Sequence, residues 1–382
     1  MERSKPNVEL ADVFCKFSHL LGPQSLQRYK VMRDIQNCRT AVLGGHRDQC
    51  SDCGGTRQSY NSCRNRHCPK CQFLPRARWV EKRVDELLAC QYFHVVFTLP
   101  SEIKDVVLQN PRVCYDLLFK AASETIKKIS PHDSGCIGVL HTWSQNLVHH
   151  PHVHFIVPGG GLSKDKTKWV PCKKGFFAPI RVLSKVFRGK FLSMMEVAFR
   201  EDKLKFYGSC EQLKHKMFFD EIMIQCAAKE FVVYAKKPFA GPKQVIDYLG
   251  QYTHRIAISN YRIRKLDGEM VSFKVRDKKN PKKKKMMVLH VKEFMRRFLL
   301  HALPRGFVRI RHFGILGNRY KKRNIQIIRK LCSTIQEKKI SIKESWKKFL
   351  KRIKGIDIDL CVKCKKGVME EVTQMPLLLS TA

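Results

Sequence analysis

Two Cys-x2-Cys pairs, Cys50–Cys53 and Cys68–Cys71, stand fourteen residues apart in a glycine-rich stretch that lacks apolar periodicity. A segment this poor in hydrophobic residues has no core of its own. Thiolates at this spacing close tight loops around a tetrahedral zinc ion, and the metal then supplies the folding free energy. Gly54 and Gly55 follow the first pair and provide the turn of a knuckle. The spacing therefore predicts Cys50, Cys53, Cys68 and Cys71 as ligands. Cys63, His67 and His46 are further candidates, for a second ion or as replacements. Four protein ligands leave no place for water, so the ion is structural. The competing reading is a set of buried thiols or a redox pair, a spacing that packing alone seldom produces. A third pair, Cys361–Cys364, has no second pair nearby in sequence and needs distant ligands or another subunit. The scattered remainder of the 16 cysteines read as small buried hydrophobes.

Charge decides the partner class. The chain has 382 residues, with 74 Lys and Arg against 33 Asp and Glu, a net charge of +41. Such an excess repels itself unless a polyanion is near. DNA is the first expectation and an anionic membrane surface the second. Arg64, Arg66 and Lys70 fall on the cysteine-rich module beside Tyr60, a pairing of cations for phosphates and a ring for a base. A solvated rim is the plainer alternative. No apolar run reaches the roughly 18 residues of a membrane-spanning helix, and the opening MERSKPNVELADVF lacks the apolar core of a signal peptide. The expectation is a cytoplasmic, nucleoid-associated protein with no membrane partner.

Periodicity predicts an α+β chain. Residues 1–45 and 75–90 read as helical, QYFHVVFTLP (91–100) as a buried strand, and 104–129 as a helix. GCIGVLHTWSQNL and HVHFIVP form a hairpin, closed by the run Gly159, Gly160, Gly161, where the backbone must turn or approach something closely. GFFAPI, FVVYAKKP and RIAIS read as short strands, with two helices between 163 and 230. Pro242 opens a helix to about 253. KKNPKKKK (278–285) reads as a solvated loop, and helices recur at 291–303 and 320–352. The expected division is 1–75, helical and zinc-binding; 90–265, a nuclease domain with a central antiparallel sheet flanked by helices; and 266–382, basic and mostly helical with the Cys-x2-Cys tail.

Two constellations carry chemistry. His152 and His154 alternate along a strand and so share a face. His150 falls on that face too, but Pro151 interrupts regular pairing behind it. Two ligands seldom suffice for an ion, and a third should come from the neighbouring strand. Gln145 is the favoured candidate, with His141 and His94 as rivals. Two imidazoles and an amide leave room for a phosphate oxygen, which suits Mg2+ or Mn2+ acting as a Lewis acid. Tyr248 and Tyr252 stand one helical turn apart, about 6 Å, so two phenols can address one phosphate in succession. Gln251, His254 and Arg255 are near enough in sequence to position it. The plainer readings are a metal-free histidine cluster and a helix burying two aromatics. Gly250 in that turn costs a helix roughly 1 kcal/mol, which argues against simple core packing.

The order of cysteine cluster, FHVVFTLP, HHPHVHFIVPGGGLS, PFAGPKQVIDYLGQYTHRIAISNYRI and EFMRRFLLHALPRGFVRIRHFG resembles the HUH transposases of the IS91 insertion-sequence family over about 30–367. The resemblance implies an HUH endonuclease fold and rolling-circle transposition. A tyrosine nicks one strand, stays joined to the 5′ phosphate and leaves a free 3′-hydroxyl. His152 and His154 match the HUH pair, Tyr248 and Tyr252 the two nucleophiles, and Cys50, Cys53, Cys68 and Cys71 the N-terminal zinc module. Gln145 is placed by analogy with HUH replication initiators. The substrate implied is single-stranded DNA at cleavage, with duplex or hairpin element ends bound by the zinc module and Arg255 as a candidate for transition-state charge. The tail departs from the family: CVKCKKG lacks the proline and glycine usual in its knuckle. A plasmid or phage replication initiator and a non-catalytic zinc-finger regulator are the alternative readings.

Overall fold

The computed structural model describes residues 7–130, 132–175, 177–236, 244, 250, 253–254, 256–277, 280, 283–332 and 344–378. Tyr248, Gln251, Tyr252 and Arg255 lie outside the described residues. In chain order the elements begin with α1 (Leu10–Phe17), α2 (Leu26–Gln36), β1 (Gly45–Cys50), β2 (Thr56–Tyr60) and α3 (Phe73–Val84). Next come β3 (Tyr92–Thr98), α4 (Lys104–Gln109), α5 (Pro111–Ile129), β4 (Gly135–Trp143), β5 (His149–Pro158), β6 (Gly160–Leu162) and β7 (Trp169–Pro171). Helices α6 (Ile180–Arg200) and α7 (Lys216–Ala227) precede β8 (Val233–Lys236). The C-terminal third holds β9 (Ile263–Asp267), β10 (Met270–Arg276), β11 (Lys284–His290), α8 (Val291–Leu299), β12 (Ile310–Gly314), α9 (Lys321–Leu331), α10 (Trp346–Lys354) and β13 (Met369–Met375).

The chain forms two compact units, 1–78 with 258–299 and 338–382, and 79–257 with 300–337. Residues 266–382 therefore do not make one body. They divide between both units and contribute strands as well as helices, which corrects the expectation of a separate, mostly helical region.

The second unit is built on an antiparallel five-stranded sheet in the order β12-β4-β5-β3-β8. Alternation along the strands explains its two faces. Phe93, Val95 and Phe97 of β3, Leu140 of β4, and Val153, Phe155 and Val157 of β5 all enter one core with α5 and α6. Phe155 meets Phe97 and Phe119 edge-on, at 5.9 and 6.4 Å between centroids. Gly138 lets those rings through, since a Cβ there would lie 2.7 Å from Phe155 Cε1. The alternate residues of the same strands are His94, His141, His152 and His154. Farther along that face Tyr92 and Ile156 join a smaller core with Ile325 and Ile328 of α9. The triple glycine serves close approach: a Cβ on Gly160 would lie 2.5 Å from the Trp169 ring.

Three local expectations need correction. The helix expected over 104–129 breaks at Asn110, because Pro111 cannot continue the ladder and instead occupies the first position of α5. GFFAPI contains no strand among its described residues; Pro179 caps the helix that starts at Ile180. RIAIS likewise forms no strand over 256–259: Ala257 and Ile258 are buried, and a 3-10 turn, Asn260–Arg262, follows. In the basic block Lys284 and Lys285 open β11, an exposed edge strand of the sheet β11-β10-β9.

In the first unit Phe294 of α8 packs on Phe273 of β10, with ring centroids 5.5 Å apart, and Phe298 on Phe14 of α1 at 5.7 Å. The first N–H of α1, on Leu10, donates to Asn260 Oδ1 at 3.1 Å. A second sheet, β13-β1-β2, pairs the hairpin β1–β2 with the C-terminal strand, Cys50 standing opposite Met369.

Candidate active site and cysteine centres

His141 of β4 pairs directly with His152 of β5, and His154 follows two residues on. Directly opposed residues of an antiparallel pair share a face, so three imidazoles converge. Ligand nitrogens of His141, His152 and His154 all lie within 4.8 Å of one another. His141 and His154 are buried, and His152 is the more open of the three. The rings are oriented from behind. His152 Nδ1 donates to the His150 carbonyl at 2.6 Å. His154 Nδ1 lies 2.9 Å from His94 Nε2, with the two rings parallel within 6°. With Nδ1 engaged in both, Nε2 is the nitrogen each can turn to an ion, the arrangement common behind metal-ligating histidines. Three convergent imidazoles with no carboxylate among them fit a divalent cation.

Of the residues expected as third ligand, the structure brings His141 to the pair. Gln145 lies in the hairpin turn, beyond the last paired residues Trp143 and His149. His94 touches His154 from β3 without entering the trio. On the far side of the hairpin a separate buried set forms: Tyr115 Oη to His149 Nε2 at 2.9 Å, and His301 between the Thr142 hydroxyl (3.2 Å) and the Leu147 carbonyl (3.0 Å). Burial pushes the His149 imidazole down to about 3 and His301 to about 4.

The segment after the tyrosines is anchored. Thr253 is fully buried, and its carbonyl accepts from Arg309 at 2.7 Å. Arg309 in turn accepts from the Leu140 N–H at 2.9 Å, just before β12 pairs with β4. His254 lies near the Trp79 ring, 6.4 Å between centroids. Arg309 was missed from sequence: one arginine in so basic a chain carries no signal.

The cysteines form two groups, not one. Cys38, Cys63, Cys68 and Cys71 have their sulfurs within 4.8 Å of one another, and so do Cys50, Cys53, Cys361 and Cys364. The four-ligand set expected from spacing is thus split between them. The reason is the β1–β2 hairpin. Its base brings Cys38 beside Cys63, where Arg39 N–H bonds the Asn61 carbonyl at 3.0 Å. Its tip carries Cys50 and Cys53 away. Arg39 and Arg64, each following a cysteine, adopt left-handed φ of 62° and 55° that turn the chain back. The sister thiols Cys63 and Cys68 draw Cys38 down to about 7, and the N–H groups of Cys364 and Lys363 draw Cys361 down to about 6. His67 is buried beside the first group but outside it, and His46 stands on β1 near Asp48. Of the expected DNA contacts on this module, Arg64 is exposed, Arg66 is half-buried, and Lys70 pairs with Glu9 at 2.5 Å.

Residues 135–324 match the family described as "Putative transposase", and residues 10–99 the one described as "Transposase zinc-binding domain". A protein of Sinorhizobium fredii named "Putative transposase y4qJ" is 44% identical over 381 residues, covering 97% of this chain and 95% of that one. The transposase for insertion sequence element IS801 of Pseudomonas savastanoi pv. phaseolicola is 24% identical over 314 residues, covering 79% of this chain and 74% of that one. No solved structure matches the chain.

The chain belongs to the IS91-type transposases.

Membership implies DNA binding and DNA cleavage. The first match spans the histidine hairpin and the tyrosine segment; the second contains Cys38 through Cys71 but not Cys361 or Cys364. A structural zinc is supported by that domain and by the cysteine groups. Among the described residues no helix is long and apolar enough to cross a membrane.

Proposed function

We propose that this transposase nicks and rejoins single-stranded DNA at the ends of an insertion sequence, through a covalent 5′-phosphotyrosine intermediate, and so drives rolling-circle transposition on an HUH-type nuclease domain. The observation that carries the reading is the imidazole trio His141, His152 and His154, which stands on the face of an antiparallel sheet turned away from its core. These residues would hold a divalent ion, which when bound polarises the scissile phosphate as a Lewis acid. Mg2+ or Mn2+ is the ion proposed, with phosphate and water oxygens completing its shell.

The remaining roles belong to the chain. Tyr248 and Tyr252 are the nucleophiles. The phenol oxygen bonds phosphorus, the P–O3′ bond breaks, and the departing 3′-oxygen takes up a proton. The phosphotyrosine keeps the free energy of the broken diester, so rejoining needs no nucleotide cofactor. A phenol of ordinary pKa near 10 is a weak nucleophile at pH 7, so positioning must supply much of the rate. The Arg309 tether on Thr253, next to Tyr252, supports that positioning, and Arg255 is the candidate for stabilising charge in the transition state. Arg64 and Arg66 of the zinc module are the candidates for gripping duplex or hairpin ends, in keeping with the net charge of +41 and a place beside the nucleoid.

The test is denaturing electrophoresis of the chain with labelled single strands from its flanking DNA, with and without Mn2+. The wild-type chain should form a metal-dependent covalent adduct that the Tyr248→Phe/Tyr252→Phe chain lacks. An adduct persisting in the double variant overturns the assignment of the nucleophiles.

A further inference from the structure

The C-terminal cysteine pair lies outside both matched families, yet it meets the first pair of the N-terminal module. Cys50 Sγ lies 3.7 Å from Cys364 Sγ, and Cys53 Sγ 3.8 Å from Cys361 Sγ. A tetrahedral zinc about 2.3 Å from each of four sulfurs sets their separations at about 3.8 Å, whereas a disulfide needs about 2.0 Å. The two pairs are also built alike. In the first, the N–H groups of Asp52 and Cys53 point at Cys50 Sγ (3.4 and 3.5 Å), Gly54 N–H bonds the Cys50 carbonyl (3.2 Å), and Gly54 takes φ +64°. In the second, the N–H groups of Lys363 and Cys364 act on Cys361, Lys365 N–H bonds the Cys361 carbonyl (2.9 Å), and Lys365 takes φ 59°. Both are knuckles of the same backbone geometry.

We infer that Cys50, Cys53, Cys361 and Cys364 bind a second zinc ion, separate from the one held by Cys38, Cys63, Cys68 and Cys71, and that this ion staples the C-terminal tail to the N-terminal module. The surroundings require it. The apolar cluster at this end consists of Cys50, Cys361 and Met369 with Cys364 packed against them, so ligands make up most of the only such cluster there among the described residues. The strand β13 is mostly exposed beyond Met369. Polar bonds also fasten the tail: backbone pairing with β1, the Ser51–Val368 bonds (2.9 and 3.1 Å), and Arg57, which bonds both Asp48 and the Ile358 carbonyl (2.7 and 2.8 Å). Gly367 is the close-approach residue. A Cβ there would lie 2.4 Å from Cys50 Sγ and 2.6 Å from Asp52 Cβ. The tail knuckle can reach the first pair only without a side chain at that position.

The experiment measures zinc by native mass spectrometry on the full chain, with cysteine alkylation followed as a chelator is raised. Two cysteine-bound zinc ions per chain are expected, counted with His152→Ala/His154→Ala present in every chain compared so that the imidazole trio adds none. Cys361 and Cys364 should become reactive in step with Cys50 and Cys53, at a chelator concentration separate from that of the other four. The Cys361→Ser/Cys364→Ser chain should hold one zinc, with Cys50 and Cys53 reactive and Cys38, Cys63, Cys68 and Cys71 protected. Gly367→Ala keeps every sulfur and should release its second zinc at a chelator concentration at least tenfold lower. A single zinc in the chain with its cysteines intact overturns the proposal. So does free reactivity of Cys361 and Cys364 while Cys50 and Cys53 stay protected, a reading that needs no variant to fold.

Discussion

His94→Phe isolates the hydrogen bond behind His154. Phenylalanine keeps a ring to stack on His154, 5.1 Å away, and removes the nitrogen 2.9 Å from His154 Nδ1. His94 is 2% exposed, so water does not readily replace it. If Nδ1–H is left buried without this acceptor, the cost is about 1–3 kcal/mol. The imidazole can escape part of that cost by moving its proton to Nε2, the nitrogen an ion would take. Either route weakens metal binding by about 10- to 100-fold, the range found when such supporting partners are removed. Calorimetric titration of Mn2+ into the full chain measures this directly. His94→Asn, which retains an acceptor, should recover part of the loss. A His94→Phe chain that binds Mn2+ within twofold of wild type, while His152→Ala abolishes binding, would refute the claim that this bond orients a ligand.

Arg309→Ala removes the 2.7 Å bond to the Thr253 carbonyl and should slow covalent adduct formation by on the order of tenfold or more, with Mn2+ affinity unchanged; an unaltered single-turnover rate refutes the tether. Gly138→Ala places a Cβ 2.7 Å from Phe155 and should cost about 1–3 kcal/mol in denaturant unfolding; a neutral result would mean that the core has slack there. Acidification should destabilise the chain. Burial holds His301 down at about 4, against about 6.5 when unfolded, so between those values the unfolded state binds a proton that the folded state refuses. The contribution is intact above pH 6.5 and lost as pH falls through 4, worth about 3 kcal/mol for a group this buried. Urea midpoints that rise between pH 7 and pH 4.5 would contradict the sign.

Local patterning carried much of the nuclease sheet. FHVVF and HVHFIV alternate so regularly that their faces, and the convergence of His152 and His154, follow from strand geometry. GFFAPI and RIAIS have strand composition but form no strand among their described residues: Pro179 directs one into a helix cap, and the other buries Ala257 and Ile258 ahead of a 3-10 turn. The cysteine partners were hidden for a different reason. Spacing reports which sulfurs can share a short loop, not which loops a hairpin carries apart. Cys38 is single in sequence, and it reaches Cys63 only because β1 and β2 return the chain to its starting point. Cys361 and Cys364 lie more than 300 residues from their partners, where no periodicity reaches.

The third imidazole depends on a finer feature. Continued from the pair Trp143 and His149, regular antiparallel pairing would set His141 opposite Pro151, on the face away from His152 and His154. The register shifts between His141 and Trp143, and His141 pairs with His152 instead. Proline has no N–H to offer a ladder and is tolerated in strands at such irregularities, and a bulge re-aims the side chains beside it. Pro151, legible in the sequence as an interruption, lies where the register shifts to bring His141 onto the face of His152 and His154. Gln145, placed by analogy with replication initiators, lies in the turn beyond the last paired residues Trp143 and His149. One residue of slip thus sets the His141 imidazole beside His152 and His154, where an unbroken ladder would turn it to the opposite face.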